Sequence, residues 1–451
     1  MINMSKKLYI SLIFSNLVVI KTLSSNHRMY NLYTKFVKIL EICKQFSENL
    51  VNESGNVPRR GPVPKFSDLE VVALSLTAET ESIDSEKWLF EYKLQEYKDS
   101  IPNLISRRQF NDRRKKTAGL CEEPHAFSSV EQLCDMPNLD LVYVCTDWDS
   151  HFSMACCALE HGHHVAVEVP AVMTIREAWQ LVDLSERQQL HCMMLENCCY
   201  DYFELATAAM AQQGLLGEVV HGEGGYCHNL GDRWEPWRLR YNAVHRGDVY
   251  PTHGLGPVCL AMGMHRGDTL RTLVSMDTAP SPAVCQHHAS RMANEGASAT
   301  VEPNGFANGA VTTTLMRTAL GRTIQLSHDV QTPRPYSRGY RLVGTKGYAD
   351  KYPVEQLWID EQEVKRDEVE AMIDRFLPDD IRRLRHTAEQ YDNRGGISYL
   401  MDYRLVDCLV KGRPLDMDVY DLAEWCAVVE LSELSISQGS VPVAVPDFCR
   451  R

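Results

Sequence analysis

DLVYVCTDWDSHFSMACCALEHGHHVAVEVPAVMTIREAWQLVDLSERQQLHCMML, residues Asp140–Leu195, is the stretch that decides the fold. Leu141–Cys145 (LVYVC) is an unbroken apolar, β-rich run between Asp140 and Thr146, as expected of a parallel strand buried on both faces. Phe152–Glu160 has helical spacing and stops near Gly162. Val165–Val169 (VAVEV) is a second strand closed by Pro170, and Thr174 with Glu177 opens a second helix that runs to Gln188. Leu190–Leu195 supplies a third strand. This β-α-β-α-β rhythm predicts right-handed crossovers and a parallel sheet. It is the second half of a doubly wound, Rossmann-like α/β domain, placed at residues 122–197. No G-x-G-x-x-G stands between a strand and a helix upstream, so the first strands and their phosphate-binding turn are missing.

Ligands of such sheets lie at the carboxyl ends of the strands. Thr146–His151, Glu168–Pro170 and Glu196–Asn197 are therefore predicted to line one crevice. Residues 198–451 read as an α+β domain. Strand-like runs at Val219–Gly224, Val311–Leu315, Thr323–Leu326 and Arg341–Gly344 suit an open, mostly antiparallel sheet with helices on one face.

Residues 29–121 have a different character. Leu32, Phe36, Ile39, Leu40 and Cys43 make the apolar stripe of a helix, and Pro58–Pro64 (PRRGPVP) interrupts it. Ser67 and Glu70 form a capping box for a second helix, and a further helix is predicted over Trp88–Tyr97. Ser106–Lys116 holds six cations and one carboxylate, either a solvated face or a contact to DNA phosphates. Residues 1–28 are an unassigned extension. Lys6 and Lys7 precede the apolar run Leu8–Ile20, which is too short to span a bilayer. No clean cleavage site follows it before His27, so a cytoplasmic location is favoured over export.

At 451 residues, two to three domains are expected, and 44% hydrophobic with 24% charged residues is the balance of a soluble globular protein. A net charge of −13 argues against nucleic-acid binding by the chain as a whole. The fifteen cysteines include no C-x-x-C pair and lie in apolar runs, so reduced, buried thiols are expected and no metal site.

Two resemblances follow from longer motifs. Pro64–Glu79 (PKFSDLEVVALSLTAE) and the SRRQFNDRRK run resemble the helical N-terminal region of 982-type insertion-sequence DDE transposases. That resemblance ends near Glu122, before a carboxylate triad could appear. Residues 123–450 resemble glycoside hydrolase family 109, NAD-dependent α-N-acetylgalactosaminidases of the Gfo/Idh/MocA superfamily. The motifs are LENCCYDYFEL (Leu195–Leu205), AAMAQQG (Ala208–Gly214), HRGDVYPTHGLGP (His245–Pro257), RPYSR (Arg334–Arg338) and PLDMDVYDLAEW (Pro414–Trp425). Val169 stands where the ordinary superfamily member has Lys, as in family 109.

That resemblance implies hydride removal from sugar C3 by NAD, elimination, water addition and hydride return, so that the net reaction is hydrolysis. It assigns Trp148, Asp149, Ser150, His151, Glu168, Val169 and Asn197 to the cofactor. Tyr226, Arg238, Tyr250, Pro251, Thr252, His253 and Tyr336 fall to an N-acetylgalactosamine-containing glycan, with Tyr226 and His253 catalytic. Phenols and an imidazole can move protons between sugar hydroxyls. Two departures bear on activity: the glycine-rich loop has no counterpart, and Arg394-Gly395-Gly396-Ile397-Ser398 replaces a family H-G-G-M-D, where arginine cannot act as a base. The expectation is a glycosidase impaired by loss of its dinucleotide loop. The alternatives are an inactive fusion remnant and a DNA-binding transposase fragment.

Overall fold

The computed structural model describes residues 32–46, 51–58, 63–80, 87, 89–117, 129–136, 139–228, 236–280, 307–392 and 394–449. The Leu8–Ile20 run lies outside them. The chain divides into two compact units, one of residues 1–127 with 386–399, the other of 128–385 with 400–451.

In the first unit, α1 (Leu32–Phe46), α2 (Asp68–Thr80) and α3 (Arg107–Thr117) enclose one apolar core. The stripe on α1 turns inward: Leu32, Phe36 and Ile39 are buried. Ser67 and Glu70 cap α2 reciprocally, side chain to amide in both directions. The segment read as a regular helix over Trp88–Tyr97 differs. It is a π turn at Leu89–Lys93 followed by a 3-10 turn at Leu94–Tyr97. Leu89, Phe90 and Leu94 all face the core. Nor is α3 merely a solvated face. Phe110 is buried against Phe90 (ring centroids 5.1 Å apart), and Arg113 pairs with the buried Asp68 at 2.6 Å.

The second unit begins with α4 (Val130–Cys134), then β1 (Leu141–Val144), α5 (Trp148–Glu160), β2 (His164–Val167), α6 (Ile175–Gln188) and β3 (Cys192–Met194). The three strands form a parallel sheet in the order β1-β2-β3, with Val142 opposite Val165 and Ala166 opposite Met193. Among the described residues no strand precedes Leu141, and β1 is an edge. Helix α5 starts four residues earlier than its apolar spacing predicts. Asp147 caps it by accepting the Ser150 amide, so Trp148–His151 form a helical first turn and not a loop at a strand end. Thr174 and Glu177 make the expected capping box on α6. The strands are shorter than their apolar runs, and the Val169–Pro170 peptide after β2 is cis.

The rest of the unit contains α7 (Tyr202–Gln212), β4 (Val219–Cys227), α8 (Pro236–Val244), α9 (Thr252–Met262), β5 (Leu270–Asp277), β6 (Thr312–Thr318), β7 (Thr323–Asp329), β8 (Arg341–Gly344), β9 (Gly347–Asp350), β10 (Gln356–Ile359), β11 (Gln362–Glu363) and α10 (Arg366–Phe376). The helices α11 (Asp379–Tyr391) and α12 (Ile397–Lys411) follow, then α13 (Val419–Ser437) and β12 (Val443–Ala444). Among the described residues nine strands form one sheet, ordered β11-β10-β9-β8-β4-β7-β6-β5-β12. It is antiparallel except where β4 runs parallel to β7. Helix α13 is buried along most of its length and packs on α6, β3 and β5, which ties the small sheet to the large one.

One contact positions the site. A Cβ on Gly254 of α9 would stand 2.1 Å from the Gly225 amide nitrogen, and one on Gly224 would stand 2.2 Å from the Gly254 carbonyl. Helix and strand backbones therefore touch directly, which glycine alone permits. The contact brings His253 beside Tyr226.

Candidate active site

The side chains at this contact come from five segments. Tyr226 ends β4, and His228 follows on the same face by the period of two. Tyr250, Pro251, Thr252 and His253 lead into α9, Glu196 follows β3, Trp148 opens α5, and Tyr336 lies in the loop before β8. The Tyr226 ring centroid is 5.0 Å from Tyr250, 5.4 Å from His253 and 6.3 Å from Tyr336. Tyr250 is buried and Tyr336 is 44% exposed, so the group runs from the interior to the surface.

Two phenol–imidazole couples result. His253 Nδ1 donates to the fully buried Glu196 carboxylate at 2.7 Å, and its Nε2 faces Tyr250 Oη at 3.4 Å. Burial opposes charge on His253, but the Cys198 sulfur and the Glu196 carboxylate outweigh it and raise the imidazole pKa to about 10. Burial likewise opposes ionisation of Glu196, and the His253 imidazolium overcomes it, holding that carboxyl below its ordinary range. The couple is thus an ion pair at neutral pH, with Nε2–H free to donate. In the second couple, Tyr226 Oη and His228 Nδ1 are 3.0 Å apart.

Arg238 on α8 sits over Trp237 (4.9 Å from guanidinium carbon to ring centroid), Trp148 (5.6 Å) and Tyr250 (5.9 Å). Its buried Nε has no hydrogen-bond partner. A small cleft lined by Trp148, Tyr226, Arg238, Asn242, Tyr250 and His328 lies there. This narrow, aromatic-walled recess therefore holds a guanidinium donor, Arg238 Nε–H, that can bond a polar ligand group.

The residues assigned to the cofactor are placed unevenly. Trp148 stacks on Tyr250 at 5.8 Å and donates its indole N–H to the Val169 carbonyl. Glu168 is half-buried and lies within electrostatic reach of Tyr250. Asn197 opens a short 3-10 turn and accepts from Cys198 Sγ. His151 is buried, with its two ring nitrogens against the Pro170 and Thr146 carbonyls, so it braces two strand-end loops. Ser150 Oγ is bonded to Thr146 and Asp147, and Asp149 is exposed. Val169 is buried, as are Pro251 and Thr252 at the start of α9. In the other unit, the exposed Arg394 donates its amide to Asp392.

The sequence does not single out His228 or Trp237, and it places Glu196 at a strand end lining the crevice without naming its partner. The alternation along β4 is the signal for His228, because it shares a face with Tyr226. The strand end places Glu196 in the crevice, but nothing local gives its partner His253, 57 residues away.

Residues 200–451 match the family described as glycosyl hydrolase 109, C-terminal domain, and residues 102–196 match the oxidoreductase family with an NAD-binding Rossmann fold. The chain belongs to glycosyl hydrolase family 109. A family 109 protein of Porphyromonas gingivalis is 46% identical over 372 residues, covering 75% of this chain and 77% of that one. Another from Bacteroides thetaiotaomicron is 47% identical over 343 residues, covering 71% of each. Among solved structures, an NAD binding oxidoreductase from Klebsiella pneumoniae shares the fold, with a TM-score of 0.54 at 16% identity over 74% of this chain and 87% of that one. The Rossmann match begins at residue 102 and so includes the basic run of α3, which the sequence reading joined to the N-terminal helices.

As a family 109 glycosyl hydrolase with an NAD-binding domain, the chain fits one half of that cofactor. Trp148, Glu168 and Asn197, at or near the strand ends, offer an aromatic wall and polar groups for the nicotinamide side. The diphosphate half is not matched among the described residues. The turn into α5 carries Asp147 and Asp149, and the Asp147 carboxylate already occupies the Ser150 amide that an anion would need.

Proposed function

We propose that this family 109 enzyme hydrolyses α-N-acetylgalactosaminides at the Tyr226–His253 cluster and holds NAD weakly. The observation that carries this reading is the pairing of one phenol–imidazole couple locked in its charged form by Glu196 with a second couple, their phenol rings 5.0 Å apart. Elimination and its reversal across a sugar require a proton to be taken at one atom and delivered at another. Two titratable couples in different environments divide those roles. Tyr226 Oη accepts a proton from the substrate and passes it to His228 Nδ1. His253 Nε2–H, maintained by Glu196, donates to the departing oxygen directly or through Tyr250. Arg238 anchors the acetamido carbonyl through its unused Nε–H, while Trp148 and Tyr336 pack against the sugar. NAD, when bound, supplies a reversible hydride acceptor. Its weak hold follows from the lack, among the described residues, of a strand-to-helix glycine turn ahead of β1 whose amides would hold the diphosphate.

The test is release of chromophore from p-nitrophenyl α-N-acetylgalactosaminide by the purified chain, with calorimetric titration of NAD alongside. Slow hydrolysis that climbs with added NAD into the millimolar range is expected, as is loss of activity in Tyr226→Phe and His253→Gln. Tight, saturable NAD binding would overturn the weak-hold reading. Equal rates on the α-galactoside lacking the acetamido group would overturn the substrate reading.

A further inference from the structure

A second cluster of reactive side chains lies outside this site, at the far end of α5. Cys157 on its last turn and His161 at its C-cap are four residues apart, a spacing that puts both on one helix face. Cys134, at the end of α4, meets that face. One ligand atom from each of the three lies within 4.8 Å of the others. Cys157 Sγ and His161 Nδ1 are 3.7 Å apart. A tetrahedral zinc ion, with Zn–S of about 2.3 Å and Zn–N of about 2.1 Å, sets sulfur and nitrogen about 3.6 Å apart. The pair therefore already has the separation of a coordination edge.

We propose that Cys134, Cys157 and His161 bind a zinc ion through two thiolates and one imidazole, with water as the fourth ligand. Asp135 supplies the outer partner. Its Oδ1 is 3.9 Å from His161 Nε2, the nitrogen that keeps its proton when Nδ1 binds metal. His161 Nδ1 now donates to the Cys157 carbonyl at 2.7 Å, so binding moves that proton to Nε2, where the Asp135 carboxylate, 3.9 Å away, favours it electrostatically. The two thiol protons pass to solvent, and the charge of the bound site is neutral. The surroundings favour a cation. The site caps the negative end of α5, and Glu131, Asp135 and Glu160 lie around it. Without metal, burial and the carboxylates raise the Cys157 thiol above its usual range, and burial with the neighbouring Cys157 pushes Cys134 to about 12. A bound ion would pin α4 to α5, and its role would be stabilising.

The reduced, chelator-treated full chain titrated with Co²⁺ provides the test. One equivalent should bind with a thiolate-to-cobalt charge-transfer band that Zn²⁺ abolishes, and zinc should raise the melting temperature. Cys157→Ser and His161→Gln should remove the band, while Cys145→Ser, an exposed thiol elsewhere, should keep it. His161 lies near the surface, so His161→Gln is expected to fold, as circular dichroism will check. Asp135→Asn should weaken binding about tenfold. An unchanged band in His161→Gln, no band in the wild type, or a Cys134–Cys157 disulfide in protein purified with zinc would overturn the proposal.

Discussion

Among the described residues the buried Glu196 carboxylate is paired with the His253 imidazolium, and each holds the other in its charged form. Removing one partner of such a pair leaves the other without its stabilising charge. Glu196→Gln should lower the His253 pKa from about 10, since Cys198 is then left as its support, and hydrolysis should fall on the order of a hundredfold, the usual contribution of a positioned acid or base. The folded pKa of His253 lies above the ordinary histidine value of about 6.5. Its contribution to stability is then complete below about pH 6.5 and declines as pH rises through about 10. The melting temperature of the wild type should drop across that window, and Glu196→Gln should flatten the drop. A profile that is the same in both proteins would refute the pairing as the cause.

At the scale of elements, one tight constraint is the backbone contact of α9 with β4. A methyl group at Gly254 would meet the Gly225 nitrogen at 2.1 Å, with no flexible side chain to yield. Gly254→Ala should destabilise the fold by about 1–3 kcal/mol, as overpacking does, measured by urea unfolding. It should also lower kcat more than it raises KM, because it moves His253 away from Tyr226. The parallel pairing of β4 with β7 makes a related demand. It sets Tyr226 opposite His328, a buried imidazole whose pKa burial lowers to about 4.

Across the second unit, a buried charge network ties the strands to the loop that carries Tyr336. Arg338 reaches both Asp201 and Glu204, and Lys351 reaches the same two carboxylates at 2.5 and 2.6 Å. Two cations and two anions balance, so Arg338→Met leaves the carboxylates undercompensated. A loss of about 3–5 kcal/mol in unfolding free energy is expected, with Arg338→Lys recovering part of it; a change below 1 kcal/mol would show that the network is not needed. Much of this molecule is written in short-range signals. The runs at Leu141–Cys145 and Val165–Val169, the capping box at Thr174 and Glu177, and the stripe on α1 identify strands, helices and a Rossmann-like half-domain, because strand and helix periods and cap chemistry act within a few residues. Motifs such as HRGDVYPTHGLGP carry the family, and with it the names of Tyr226, Tyr250 and His253 as a set. Only the tertiary structure decided that Glu196 charges His253, that His228 backs Tyr226, that Arg113 is spent on Asp68, and that Cys134 meets Cys157 and His161. Those contacts depend on which strands pair and where helices land on the sheet. Such choices are made by burial of whole faces between segments distant in sequence, and no local period records them.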